Sequence, residues 1–333
     1  MTMPWLCVLV LALVALVPVG LQTQGQGSVV RLDAAFDAVV EPGVTVETVK
    51  DGFGAINGIL WVPEGRSGHL LVSDIPANII HTWTSGGAMT PFLEKPDWTV
   101  APETRPANVR FGANGMALDR ARRVVYAAEA DRAVVRVEKG GTRTVLADRY
   151  EGKRLNSPND LVFRKDGSFY FTDPSGGGRF GTWDLKKELP FQGVFLAKDG
   201  RLRLLIQDLD RPNGIALSKD EKTLYVSDSN KRVIMRYDVQ PDGGVANGRL
   251  FVDMSTGKGN GNPDGMRFDA QGNLYAVGPG GIWVINPAGQ QIGMIVPPET
   301  APGFTFGDPD GMTIYMAAGT KLAKVRLTVA GAR

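Results

Sequence analysis

The chain of 333 residues is 43% apolar, which is enough to bury a large core in one domain or in two. Its 42 glycines and 21 prolines favour short strands joined by tight turns over long helices. The formal net charge is only +2 and no block of Lys or Arg occurs, so we expect no nucleic-acid partner and no polybasic membrane patch. The expected partner is a small molecule.

The N-terminus carries an almost unbroken apolar run from Leu6 to Val19, followed by a polar stretch. The run is short for a membrane span and is typical of a signal peptide, which we place at residues 1–25, so we expect export to the periplasm or the exterior. An uncleaved anchor is the alternative, because no Lys or Arg precedes the run. The single cysteine, Cys7, lies inside it, so the mature chain would have no disulfide and no thiolate metal site.

A two-strand pattern then recurs six times, with a period of roughly 40–50 residues that is typical of propeller blades or solenoids. Each copy opens with a small polar residue, continues as an apolar strand and a turn, and enters a second apolar strand. Two more strand-like segments follow, and four strands per unit make a propeller blade. The sequence therefore predicts an all-β, six-bladed β-propeller with four antiparallel strands per blade.

The sixth unit ends without a clear fourth strand, whereas a strand-like segment, residues 44–49, precedes the first unit. We expect this N-terminal strand to complete the last blade and close the ring, because closure protects an exposed sheet edge. Residues 26–43 are then predicted to be a linker and residues 44–330 a single propeller domain. Two longer connections, residues 92–111 and 174–191, contain Trp98, Phe180 and Trp183 and could wall an entrance.

The first strand of every blade lines the channel of a propeller, so the residues that open the copies should surround its axis. We call them the ring residues: Asn57, Asn114, Asn159, Asn213, Asp264 and Gly303. Amide and carboxylate oxygens without sulfur or imidazole suit a divalent cation, Ca²⁺ first, with Mg²⁺, Mn²⁺ or Zn²⁺ as alternatives. One such residue alone would be explained as a turn cap, but five of the six around one channel favour a metal site.

Other polar residues have simpler explanations. Asp74, Asp173 and Asp228 each follow a Ser or Thr at the end of a second strand, which predicts a repeated turn hydrogen bond. The two histidines fall away from the ring positions, so a Ser-His-Asp triad is not expected. Glu129 ends a second strand, where a solvated side chain is the common outcome.

From residue 45 to 327 the chain resembles the SMP-30/gluconolactonase family. The motifs that carry the resemblance are Asn156-Ser157-Pro158-Asn159-Asp160, Phe191-Gln192-Gly193-Val194, Arg211-Pro212-Asn213-Gly214 and Pro263-Asp264-Gly265-Met266. The resemblance implies a calcium-type ion held by Asn159, Asn213 and Asp264 and a hydrolase of sugar lactones such as gluconolactone. The family's fourth ligand is a Glu, and the aligned residue here is Asn57. The chain also has Glu129-Ala130 where a Glu-His pair is usual, and Gly303 where an Asn is common.

The working hypothesis is metal-assisted ester hydrolysis, in which an activated water attacks the lactone carbonyl. Asp264, the one carboxylate among the ring residues, is the candidate general base as well as a ligand. Asn114, Asp160 and Glu129 are the candidates for substrate binding. The alternative hypothesis is a non-catalytic ligand-binding propeller with a structural calcium ion.

Overall fold

The computed structural model describes residues 27–97, 112–175 and 187–332. The predicted signal peptide, and the side chains of Trp98, Phe180 and Trp183, lie outside the described residues. Within the described ranges, no helix is both long and apolar enough to cross a membrane.

The first two strands precede the first blade and flank a short 3-10 helix. They are β1 (Ser28–Arg31) and β2 (Glu47–Lys50), and the helix spans Ala34–Ala38.

The first three blades are antiparallel sheets of four strands each. The first contains β3 (Ile56–Glu64), β4 (Ser67–Asp74), β5 (Ile79–Trp83) and β6 (Thr90–Glu94). The second contains β7 (Ala113–Leu118), β8 (Val124–Ala128), β9 (Ala133–Val137) and β10 (Arg143–Ala147), and a small hairpin of β11 (Arg149–Tyr150) and β12 (Lys153–Arg154) follows. The third contains β13 (Leu161–Phe163), β14 (Phe169–Asp173), β15 (Gly193–Lys198) and β16 (Arg201–Ile206).

The last three blades repeat this plan. The fourth contains β17 (Pro212–Leu217), β18 (Thr223–Asp228), β19 (Val233–Val239) and β20 (Val245–Asp253). The fifth contains β21 (Met266–Phe268), β22 (Leu274–Gly278), β23 (Gly281–Ile285) and β24 (Gln291–Val296). The sixth contains β25 (Gly303–Gly307), β26 (Thr313–Ala318) and β27 (Lys321–Arg326). The predicted six-bladed propeller is confirmed.

The fourth strand of the sixth blade comes from the N-terminus. Strand β2 pairs antiparallel with β27, with Glu47 opposite Lys324. Because this pairing joins the two ends of the propeller within one sheet, the predicted closure of the ring by an N-terminal strand is confirmed.

Part of the segment predicted as a linker is ordered on the outside of the propeller. Strand β1 adds to the outer edge of the fifth blade, with Ser28 opposite Val296 on β24. The 3-10 helix that follows buries Phe36 completely. This ring lies over Gly293, where a Cβ atom would come within 2.3 Å of it. The structure therefore differs from the expected linker, because one aromatic side chain and a short edge pairing hold the segment in place.

The apolar core lies between neighbouring blades. The second strands β8, β14 and β22 are buried along their whole length, so their side chains pack on both faces of the sheet. Closure continues this packing, since Leu70 and Val72 of the first blade share a cluster with Tyr315 and Leu322 of the sixth. A core built this way fixes the blades around the axis on which the ring residues meet.

Candidate functional site

Five of the six ring residues line one cavity at the propeller axis. This central cavity is lined by Asn57, Asn114, Asn159, Asp264 and Gly303, together with residues next to them in the chain and with Arg267. The remaining ring residue, Asn213, hydrogen-bonds the Asp264 side chain. The structure thus brings together side chains that are far apart in the sequence.

Glycine after the ring residue lets neighbouring first strands approach closely. A Cβ atom on Gly214 would lie 1.9 Å from the carbonyl oxygen of Asp264, and one on Gly58 would lie 2.0 Å from that of Asn114. No side chain fits there. In each Asn-Gly pair the Asn therefore belongs to the ring, and the Gly allows the close contact between adjacent blades.

The segments that lead into three ring residues are held by buried carboxylates. Asp173 accepts hydrogen bonds from the backbone N–H groups of Asn156 and Ser157, at 2.8 and 2.7 Å. Asp74 and Asp228 each accept from two consecutive N–H groups in the same way, at the same offset before Asn57 and Asn213. The predicted turn hydrogen bond is therefore present, and it fixes the main chain just before the ring.

The Asn213 side chain presents an oxygen that lacks a protein partner. Its amide nitrogen donates to the Ser229 hydroxyl at 2.9 Å, while its Oδ1 atom is buried and has no hydrogen-bond partner among the described residues. Burying a polar atom without a partner is costly, so this oxygen fits a ligand atom of a bound cation.

Asp264 is the charged member of the ring. Burial, reinforced by the Asp160 carboxylate, raises the pKa of Asp264 to about 8. Arg211 and a hydrogen bond from Asn213 act in the opposite direction. A carboxylate held among amides at this point is poised to exchange a proton for a cation, because either one neutralises its charge.

Asp160 follows Asn159 in the cavity wall and is almost fully buried. Its carboxylate accepts the N–H of Ile215 from the next blade at 3.2 Å and lies 3.7 Å from the Arg267 guanidinium. Burial raises the pKa of Asp160, and Arg267 lowers it. The sequence analysis did not predict a role for Arg267. The usable signal was a charged residue in the first strand of its copy, at a position that is apolar in the other copies.

Glu129 lies beside the ring. The Asn114 amide nitrogen is 3.5 Å from its Oε2 atom. Burial raises the pKa of Glu129, while Arg211, Ser157 and Asn114 lower it. A fully solvated side chain was the common expectation for this position, and the structure instead places the carboxyl group against a ring amide.

The donor set suits a hard cation. The described part of the chain contains no group of three or more His, Cys, Asp or Glu side chains that could hold a metal. An ion at the axis would therefore depend on Asp264 together with amide oxygens, of which Asn213 Oδ1 is already without a partner. Oxygen donors of this kind fit Ca²⁺ better than a soft metal, and their single formal charge implies weak binding.

Comparison with known proteins identifies the family. The model of the SMP-30/Gluconolactonase/LRE-like region matches residues 57–320. The chain belongs to this family. The resemblance seen in the sequence motifs is thereby confirmed, and it extends over the blades that carry the ring residues.

Several relatives are lactone hydrolases by name. The gluconolactonase of Zymomonas mobilis subsp. mobilis is 35% identical over 319 residues, covering 92% of this chain and 87% of that protein. Lactonase drp35 of Staphylococcus aureus is 33% identical over 156 residues, covering 44% of this chain and 43% of that protein. The solved gluconolactonase of Xanthomonas campestris superposes with a TM-score of 0.77 at 29% identity, covering 92% of this chain and 99% of that one.

Proposed function

We propose that this member of the SMP-30/gluconolactonase family hydrolyses lactones with a divalent cation, Ca²⁺ first, at the propeller axis. Asn57, Asn159, Asn213 and Asp264 would hold the ion. The observation that carries the proposal is the buried Oδ1 of Asn213, which has no hydrogen-bond partner among the described residues and lies beside Asp264, next to a cavity that three ring amides line. The gluconolactonases and lactonases among its relatives support the substrate class.

A bound divalent cation supplies polarisation of the ester carbonyl and lowers the pKa of water. The chain's own residues supply orientation and a proton acceptor. Asp264 takes a proton from the attacking water as that water adds to the carbonyl carbon. The ester C–O bond then breaks as Asp264 returns that proton to the ring oxygen of the lactone, giving the open hydroxy acid. Asn114 and Asp160 in the cavity wall, and Glu129 beside Asn114, position the hydroxyl groups of the substrate.

The direct test is lactone hydrolysis before and after treatment with a chelator. We expect wild-type protein to hydrolyse members of a panel of sugar lactones, to lose this activity with chelator, and to regain it with Ca²⁺. Asp264→Asn keeps the side-chain size and removes the charge, so it should be inactive and folded.

A suitable control is Asp269→Asn, because Asp269 is a buried carboxylate that holds a turn outside the central cavity. That variant should keep its activity. Inactivity of the wild type on lactones and esters, with an ion bound, would instead support a binding propeller with a structural ion.

A further inference from the structure

Two of the three Ser/Thr-Asp pairs that end second strands do more than hold their own turns. In the third blade the Thr172 hydroxyl donates to the carbonyl oxygen of Asn213, in the fourth blade, at 2.6 Å. The same hydroxyl accepts the N–H of Asp160, in its own blade, at 3.1 Å. One buried side chain therefore joins the main chains beside two successive ring residues.

The pair in the fourth blade makes the equivalent link to the fifth. The Ser227 hydroxyl is 3.4 Å from the carbonyl oxygen of Asp264 and 3.4 Å from that of Gly214. Its neighbour Asp228 meanwhile fixes the segment that leads into Asn213. The Asp228 carboxylate thus contacts its own blade, and the Ser227 hydroxyl contacts the next blade as well.

We propose that Thr172-Asp173 and Ser227-Asp228 act as connectors, which set the spacing of Asn159, Asn213 and Asp264 across three neighbouring blades. Each carboxylate fixes the approach to the ring residue of its own blade, and each hydroxyl fixes the main chain at the ring residue of the next. Thr172 and Ser227 are positioning residues for the oxygen donors of the ion, so the inference rests on the proposed function. Groups of this kind orient metal ligands without touching the metal.

The pair in the first blade provides an internal contrast. Asp74 holds its own turn like the others, but the Ser73 hydroxyl is buried and has no hydrogen-bond partner among the described residues. Ser73 therefore has the sequence context of a connector without the link.

The experiment compares one substitution at these two equivalent positions, Ser227→Ala and Ser73→Ala, and adds Thr172→Val with Thr172→Ser as its conservative partner. Calcium affinity is measured by calorimetry on the folded proteins. We expect Thr172→Val to weaken binding about tenfold and Ser227→Ala to weaken it less, because its contacts are longer. Thr172→Ser and Ser73→Ala should bind like the wild type. Equal affinities for Thr172→Val and the wild type would overturn the proposal.

A second readout separates this inference from the proposed function. Hydrogen exchange of the Asp160 amide is followed in chelator-treated protein, where no ion contributes. Thr172→Val should speed this exchange and Thr172→Ser should not, since the amide keeps its acceptor in the serine variant. If calorimetry detects no calcium binding by the wild type, the proposed function fails. The exchange data alone then test whether Thr172 acts as a connector. Unchanged exchange in Thr172→Val overturns it in either case.

Discussion

At the scale of single residues, Asn57 is a neutral member of the ring that lines the cavity. It lines the same cavity as Asp264, which is the only ring residue with a formal charge. Calcium sites tune affinity through the number of charged ligands, so Asn57→Glu should tighten Ca²⁺ binding by about tenfold or more, or roughly 1.4 kcal/mol per tenfold. Calorimetric titration measures it, with Asn57→Gln as the control for side-chain length. Unchanged affinity in Asn57→Glu would show that this residue does not face the ion.

Asp264 should make the proposed calcium binding depend on pH. The pKa of its carboxyl group is raised to about 8 in the protein without an ion, so a proton occupies the site at lower pH. The ion must displace that proton, and affinity should rise by up to about tenfold per unit between pH 6 and 8 before levelling off. Titrations at pH 6, 7 and 8 in buffers of different ionisation enthalpy would detect the released proton. Constant affinity without proton release would contradict the assignment.

The ring residues could be predicted because the repeat marks one position per blade, and a propeller turns that position into a ring. The environment of Glu129 could not be predicted from the sequence. In sequence it aligns with Asp74, Asp173 and Asp228, but the pairing of its strand places it one residue further along than those carboxylates. In the structure Ala113 lies opposite Ala128, whereas Pro212 lies opposite Asp228. Glu129 therefore occupies the place of Ser229 beside a ring amide, a shift that only the strand register reveals.

At the scale of secondary-structure elements, ring closure makes a prediction about truncation. A chain that starts at Val44 keeps β2 but loses β1 and Phe36, and should fold with stability reduced by about 3–5 kcal/mol for the missing aromatic ring. A chain that starts at Lys50 also lacks the β2 pairing and should be insoluble or much less stable. Melting temperatures of both are compared with a chain starting at Ser28. Equal values for the Val44 and Lys50 starts would refute closure by β2.

The strand β1 was less predictable than β2. Its four residues alternate weakly, and their partner is the outer edge of the fifth blade, which lies more than 250 positions later in the chain. The contact that holds this segment joins Phe36 to Gly293. These two residues are far apart in the chain, and no local sequence pattern indicates that they meet. The strands of the blades were predictable because burial between blades requires apolar side chains at regular positions, and tight turns separate these strands.

At the scale of the whole molecule, the proposed ligands come from the first, third, fourth and fifth blades. No single blade holds enough donors for an ion, so the site exists only when the ring is closed and the blades are correctly spaced. Fold and site therefore depend on the same contacts: the glycines between first strands, the interblade clusters and the connectors.

The measurement that tests the account most directly is a crystal structure of the protein grown with Ca²⁺. We predict one ion on the propeller axis, with Oδ1 of Asn213 and a carboxylate oxygen of Asp264 within about 2.3–2.6 Å of it. The Asn57 and Asn159 side chains should complete the protein ligands at similar distances. An axis without an ion at saturating Ca²⁺, or an ion bound away from Asp264, would contradict the account.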